Sequence, residues 1–145
     1  MTNRRPSRSG RAAAVAALVA ALAAGCNTMA SLADEGPVRP ISLRFSLEPE
    51  NSLSGQPISP AVGVTVFESN GDTAFYSVAT IRLSIELGTG NPAARLHGDS
   101  VLATVNGTAT FTNVSIDSAG TGYRLFATSD GLGSALSDTF NVAHL

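Results

Sequence analysis

The chain is 145 residues long, 43% hydrophobic and only 14% charged, with 9 basic groups, all of them arginine, against 11 acidic ones. Four arginines precede residue 12, so from residue 26 onward five arginines face all 11 acids, a net charge of −6; such a surface repels a phosphate backbone and excludes nucleic acid as a partner. One cysteine in the whole chain excludes an internal disulfide.

At the N-terminus, Arg4, Arg5, Arg8 and Arg11 lead into the uncharged run "AAAVAALVAALAA", residues 12–24. A basic stretch followed by an apolar run of this length has the design of a bacterial export signal. Its helix would span roughly 20 Å, short of the roughly 30 Å hydrocarbon core, so it is too short for a lasting membrane span. Arg4-Arg5 would open a twin-arginine signal, but Pro6 follows and that motif's hydrophobic residues are missing, which leaves a plain basic start.

The run ends in "AAGC" (Ala23, Ala24, Gly25, Cys26), which resembles the lipobox of bacterial lipoproteins, with Ala23 where that family has Leu, Val or Ile. The resemblance implies cleavage between Gly25 and Cys26, diacylglycerol on the Cys26 sulfur, and a further acyl chain such as palmitate on the freed amine. At about 0.8 kcal/mol per buried CH₂, several acyl chains hold a protein on a membrane almost irreversibly. An ordinary secretory signal cut near Ala24 is the alternative; it would leave Cys26 as an exposed thiol in an oxidising exterior, a chemical liability. Asn27 replaces the aspartate that retains enterobacterial lipoproteins on the inner membrane, which by analogy favours the outer membrane or cell surface. Residues 1–25 are therefore expected to be a lipoprotein signal peptide.

Residues 26–40 are expected to be the lipidated Cys26 and a flexible tether. "NTMASLADEGPVRP" has no hydrophobic period and ends in two closely spaced prolines; as a coil it would reach roughly 20 Å.

From Ile41 the hydrophobic period becomes two. "ISLRFSLE" alternates Ile41, Leu43, Phe45 and Leu47 against polar residues, "VGVTVFE" alternates Val62, Val64 and Val66, and "IRLSIEL" alternates Ile81, Leu83, Ile85 and Leu87. "GYRLFA" sets Tyr123, Leu125 and Ala127 on one side with Arg124 and Phe126 on the other, and "FNV" follows with Phe140 and Val142. Alternation gives each segment one buried and one wet face, and no stretch after residue 30 carries a helical period. Asn-Gly at 70–71 and 106–107 tolerates the positive φ of tight hairpins. Phe111 and Val114 are three apart, which predicts a bulge or bend near Thr112–Asn113. The expectation is an all-β, antiparallel β-sandwich of about seven strands over residues 41–145, large enough to fold without disulfide or metal.

"LRFSLEPENSLSGQPISPAVGVTVFESNGD", "LHGDSVLATVNGTATFTNVSIDSAGTGYRLFATSDG" and "SDTFNV" together resemble a bacterial immunoglobulin-like domain of the kind found in surface and adhesin proteins. "DSAGTGYRL" is similar to the tyrosine corner of such sandwiches, in which a Tyr hydroxyl bonds back to nearby backbone. The resemblance implies that structural role for Asp117 and Tyr123. The antibody-type cysteine pair and tryptophan are absent.

Sequences that carry chemistry each have a plainer reading. "HGDSV" (His97 to Val101) resembles the nucleophile block of GDSL-type esterases, but no Asp-x-x-His follows to activate Ser100. "ESNGDT" gathers Glu68, Asn70 and Asp72, which could converge on Ca²⁺, yet it lacks the glutamate an EF-hand loop requires and reads as a turn. Glu48 and Glu50 flank Pro49 and are expected to be solvated rather than a catalytic pair. His97 and His144 lack partners at zinc-ligand spacing, so neither metal nor cofactor is expected. Phe126 with Phe67 and Phe75 would form an exposed apolar patch.

The sequence therefore leads to a non-enzymatic, lipid-anchored cell-envelope protein presenting one interaction or spacer module. Its partners would be the membrane, through the N-terminal lipid, and an envelope protein or glycan. A carbohydrate-binding module is the alternative; it would want coplanar exposed aromatics, and the chain has no Trp and two Tyr.

Overall fold

A computed structural model of the chain describes residues 36–145. The readings at Gly25, Cys26 and the preceding run lie outside those residues. Among the described residues there are twelve strands and no helix, so none is long and apolar enough to cross a membrane. The strands are β1 (Pro40–Leu47), β2 (Ser52–Leu53), β3 (Val62–Glu68), β4 (Thr80–Ile85), β5 (Leu96–His97) and β6 (Val101–Ala103). They continue with β7 (Thr108–Phe111), β8 (Ser115–Ile116), β9 (Gly120–Tyr123), β10 (Leu125–Thr128), β11 (Ala135–Leu136) and β12 (Phe140–Ala143). Seven of these have four or more residues, and they include the segments that the alternation marks; the short ones are two or three residues long and add at most three rungs of ladder to a neighbour.

The fold is an all-β, largely antiparallel sandwich. One sheet has the order β1-β3-β7 and the other β11-β10-β4-β6. β12 pairs antiparallel with β9 and parallel with β2, and β5 pairs antiparallel with β8. The inward residues form a single core. Leu43, Val62, Val64, Val66, Ala109 and Phe111 of the first sheet meet Ile81, Leu83, Leu125 and Ala127 of the second, with Tyr123, Phe140 and Val142 completing it. Each fully buried Val or Leu side chain contributes about 1.5–3 kcal/mol of transfer free energy, so this cluster is the main source of stability.

Three local expectations change. Ile41 and Leu47, on the apolar phase of the first strand, are 44% and 47% exposed. Register shifts between Pro40 and Ser42 and between Phe45 and Leu47 turn both ends of β1 off the core. Neither Asn-Gly joins a conventional hairpin, because the strands on either side go to different sheets. Asn106 (φ 52°) and Gly107 (φ 80°) form a two-residue turn with positive φ at both positions, closed by a single rung between Val105 and Thr108. Asn70-Gly71 likewise closes only the bridge from Phe67 to Thr73 before the chain crosses to β4. The sandwich also begins before Ile41: the Ser69 amide donates to the Arg39 carbonyl at 2.9 Å and Pro40 pairs with Glu68.

At Thr112–Asn113 the chain bends, so Phe111 and Val114 are both fully buried. Asn113 clamps the bend, accepting from the Asp99 amide through Oδ1 and donating to Asp99 Oδ2 through Nδ2.

Candidate functional site

Tyr123 ends β9 with its ring fully buried. Its hydroxyl donates to the Ser118 carbonyl at 2.8 Å, bonding back over the turn that leads into β9. Phe140 lies 5.9 Å away, centroid to centroid, tilted by 34°. Asp117 makes no hydrogen bond to this hydroxyl. Its Oδ1 accepts from the Arg95 amide and from Ser118 Oγ, both at 2.9 Å, and its Oδ2 lies 3.2 Å from His97 Nε2. The Arg95 amide, and then the Ser118 and His97 side chains, hold the Asp117 carboxyl at about 2, below its ordinary 3.8.

This group contains a serine, a histidine and an aspartate, but in the wrong order for nucleophilic catalysis. A triad passes a proton from hydroxyl to imidazole while the carboxylate orients the ring. Here Ser118 and His97 both bind the carboxylate, so the imidazole is not placed to activate the hydroxyl. Ser100, the serine of "HGDSV", is held by its backbone: its amide donates to the Gly98 carbonyl and its carbonyl accepts from Leu83. The cluster ties β5 to the turn after β8.

The acidic turn also closes on itself. Asn70 Oδ1 accepts from the Asp72 amide and Asn70 Nδ2 donates to Asp72 Oδ2 at 2.9 Å. Among the described residues no three His, Cys, Asp or Glu side chains gather in a metal-binding group. Glu48 accepts from the Asp138 amide, clasping the end of β1 to the segment before β12. The phenylalanine patch is not formed as expected. Phe67 and Phe126 lie on the outward phases of β3 and β10, in opposite sheets, and Phe67 is covered by the Arg44 guanidinium at 5.0 Å.

What replaces it is one end of the sandwich. Strand directions bring four features there: the start of β1 at Pro40, the loop over residues 69–79, the turn over 104–107 and the loop over 129–134. Phe75 and Tyr76 occupy the two central positions of a turn closed by the Ser77 amide on the Ala74 carbonyl at 3.0 Å. Ala74 is buried and its amide bonds to the Val66 carbonyl, which holds one side of the turn. Thr104, buried in the neighbouring turn, holds the other side: its Oγ1 donates to the Ser77 carbonyl and accepts from the Ala79 amide. The loop is thus pinned at both feet, and its apolar tip stands in solvent, with Tyr76 95%, Val78 81% and Phe75 51% exposed.

Beside the tip is a cleft of about 300 Å³ between Pro40, residues 77–80 and Asp130 with Leu132. Sequence alternation carries no signal for this site, because the tip is a loop; its only mark is the uncharged run "TAFYSVAT" between Asp72 and Arg82. No protein-family model matches the chain, and no curated protein matches it either.

Proposed function

We propose that the protein is a non-enzymatic, lipid-anchored component of the bacterial cell envelope that presents one immunoglobulin-like sandwich as an interaction or spacer module. The observation that carries this reading is the position of the chain's one cysteine, directly behind a basic stretch, an apolar run and two small residues. The strand partition supports the module: the order β1-β3-β7 is that of strands A, B and E of an immunoglobulin-like sandwich, and the order β11-β10-β4-β6 is that of G, F, C and C′. The mechanism is presentation. Lipid on Cys26 fixes the protein to a surface, and pinned loops on a rigid sandwich meet the partner.

The carbohydrate-binding alternative needs a flat aromatic platform. The exposed pair Phe75 and Tyr76 meets edge to face, at 76° and 5.2 Å between centroids, which does not offer two coplanar rings to a sugar.

The test is the intact mass of protein recovered from the membrane fraction of a bacterial host, compared with a Cys26→Ala variant. A chain that begins at Cys26, is heavier by acyl chains and loses both properties in the variant supports the reading. An unmodified chain in the soluble fraction overturns the anchor.

A further inference from the structure

Half of the large hydrophobic side chains that the sandwich exposes are at one end. Val38, Ile41, Phe75, Tyr76, Val78 and Val105 all lie around the point where the chain joins β1. The charged groups nearest this end, Arg39, Glu68, Asp72 and Asp130, stand on flanking segments, while residues 73–79 carry no charge. An apolar tip this concentrated, with a polar rim, marks a surface that meets something.

Where the chain joins the sandwich decides what that is. At most about 3.6 Å per residue separates Cys26 from Val38, so an anchor at Cys26 keeps this end within about 43 Å of the lipid surface. We propose that the tip formed by Phe75, Tyr76 and Val78 inserts into the interfacial layer of the bilayer that carries the anchor, setting the sandwich with this end down; the inference rests on the lipidation of Cys26.

Three physical arguments favour a bilayer as the occupant. Tyrosine has an apolar ring and a polar hydroxyl and concentrates at the level of the headgroups, where one end is dry and the other wet. Tethering turns docking into an intramolecular event at an effective concentration on the millimolar scale, so a contact too weak for a free protein is populated. The turn is already held by Ala74 and Thr104, so little loop entropy is lost on insertion. The contact is apolar, and the acidic rim gains nothing from anionic lipid, so zwitterionic headgroups suffice.

The chain has no tryptophan, so Tyr76→Trp or Phe75→Trp places a single indole at the tip. Leu87→Trp is the control: Leu87 is 94% exposed just beyond β4, whose six residues carry it about 20 Å from the tip. Each full-length variant is expressed in a bacterial host, checked by intact mass, and reconstituted in phosphatidylcholine vesicles with or without acyl-chain bromine. The expected result is a blue-shifted indole at positions 75 and 76 that loses most of its emission in brominated lipid, an unshifted and unquenched one at 87, and no change on raising salt. An acylated, vesicle-bound chain whose indole at 76 is quenched no more than that at 87 overturns the docking and leaves the anchor intact. An indole at 76 shielded from aqueous acrylamide but untouched by brominated lipid means that protein covers the tip, and overturns the bilayer as occupant. An unacylated chain that fails to sediment with vesicles overturns the anchor and the docking together.

Discussion

The ring of Tyr123 lies so close over Gly90 that a Cβ on Gly90 would overlap it, and Gly90 itself holds a φ of +61°. Gly120 bounds the ring on another side, its Cβ position 3.0 Å from Cε2. Two glycines therefore make the slot in which the buried phenol reaches the Ser118 carbonyl. Gly90→Ala is expected to cost at least about 2 kcal/mol, from backbone strain and overpacking together. Tyr123→Phe keeps the ring and loses only its hydrogen bond, for about 1 kcal/mol. Urea denaturation with an unchanged m-value distinguishes these losses from a change in the unfolded state.

Ser137 is fully buried between β11 and β12, and its hydroxyl accepts from the Leu125 amide and donates to the Asp138 carbonyl, both at 2.8 Å. Ser137→Ala leaves a buried amide without its partner and is expected to cost about 1–3 kcal/mol. Ser52 makes the contrast: its hydroxyl is buried with no partner, so Ser52→Ala should be neutral or stabilising. A shift of the denaturation midpoint for Ser52→Ala as large as that for Ser137→Ala would contradict this account.

Asp117 gives the fold an acid-sensitive term. Its carboxyl is held at about 2 in the folded chain, against 3.8 ordinarily, by the Arg95 amide, Ser118 and His97. The folded-state value is the lower, so the unfolded chain binds more protons at this group and stability rises with pH. The contribution is fully present above 3.8 and is lost as pH falls from there through about 2. Stability measured across that window should fall more steeply for the wild type than for Asp117→Asn.

Thr104 is the pin beneath the exposed tip. Thr104→Val removes its bonds to the Ser77 carbonyl and the Ala79 amide while keeping the side chain's shape. A loss of about 1–3 kcal/mol is expected, together with faster hydrogen exchange at the Ala79 amide. Unchanged exchange there would mean that the loop is held without Thr104.

The sandwich was legible in the residues because alternation is a local property. Val62, Val64 and Val66, then Ile81 and Leu83, then Tyr123, Leu125 and Ala127 all turn inward, as a period of two requires. The bend at Thr112–Asn113 was legible for the same reason, since two buried residues three apart cannot share one face of an unbroken strand.

The sheet each strand joins was not legible, nor the hydroxyls and the loop end that depend on it. Ser137 and Thr104 look polar and unremarkable along the chain; they are buried because partners 12 and 27 residues away satisfy them. Phe126 and Phe67 share a phase with surface residues, but only sheet membership puts them on opposite sides. The exposed tip arises because strands of both sheets deliver residues 69–79, 104–107 and the start of β1 to the same end. Which side chains face inward follows from neighbours along the chain, whereas what stands beside them follows from long-range pairing, where backbone hydrogen bonds and core packing choose among registers that local alternation leaves equivalent.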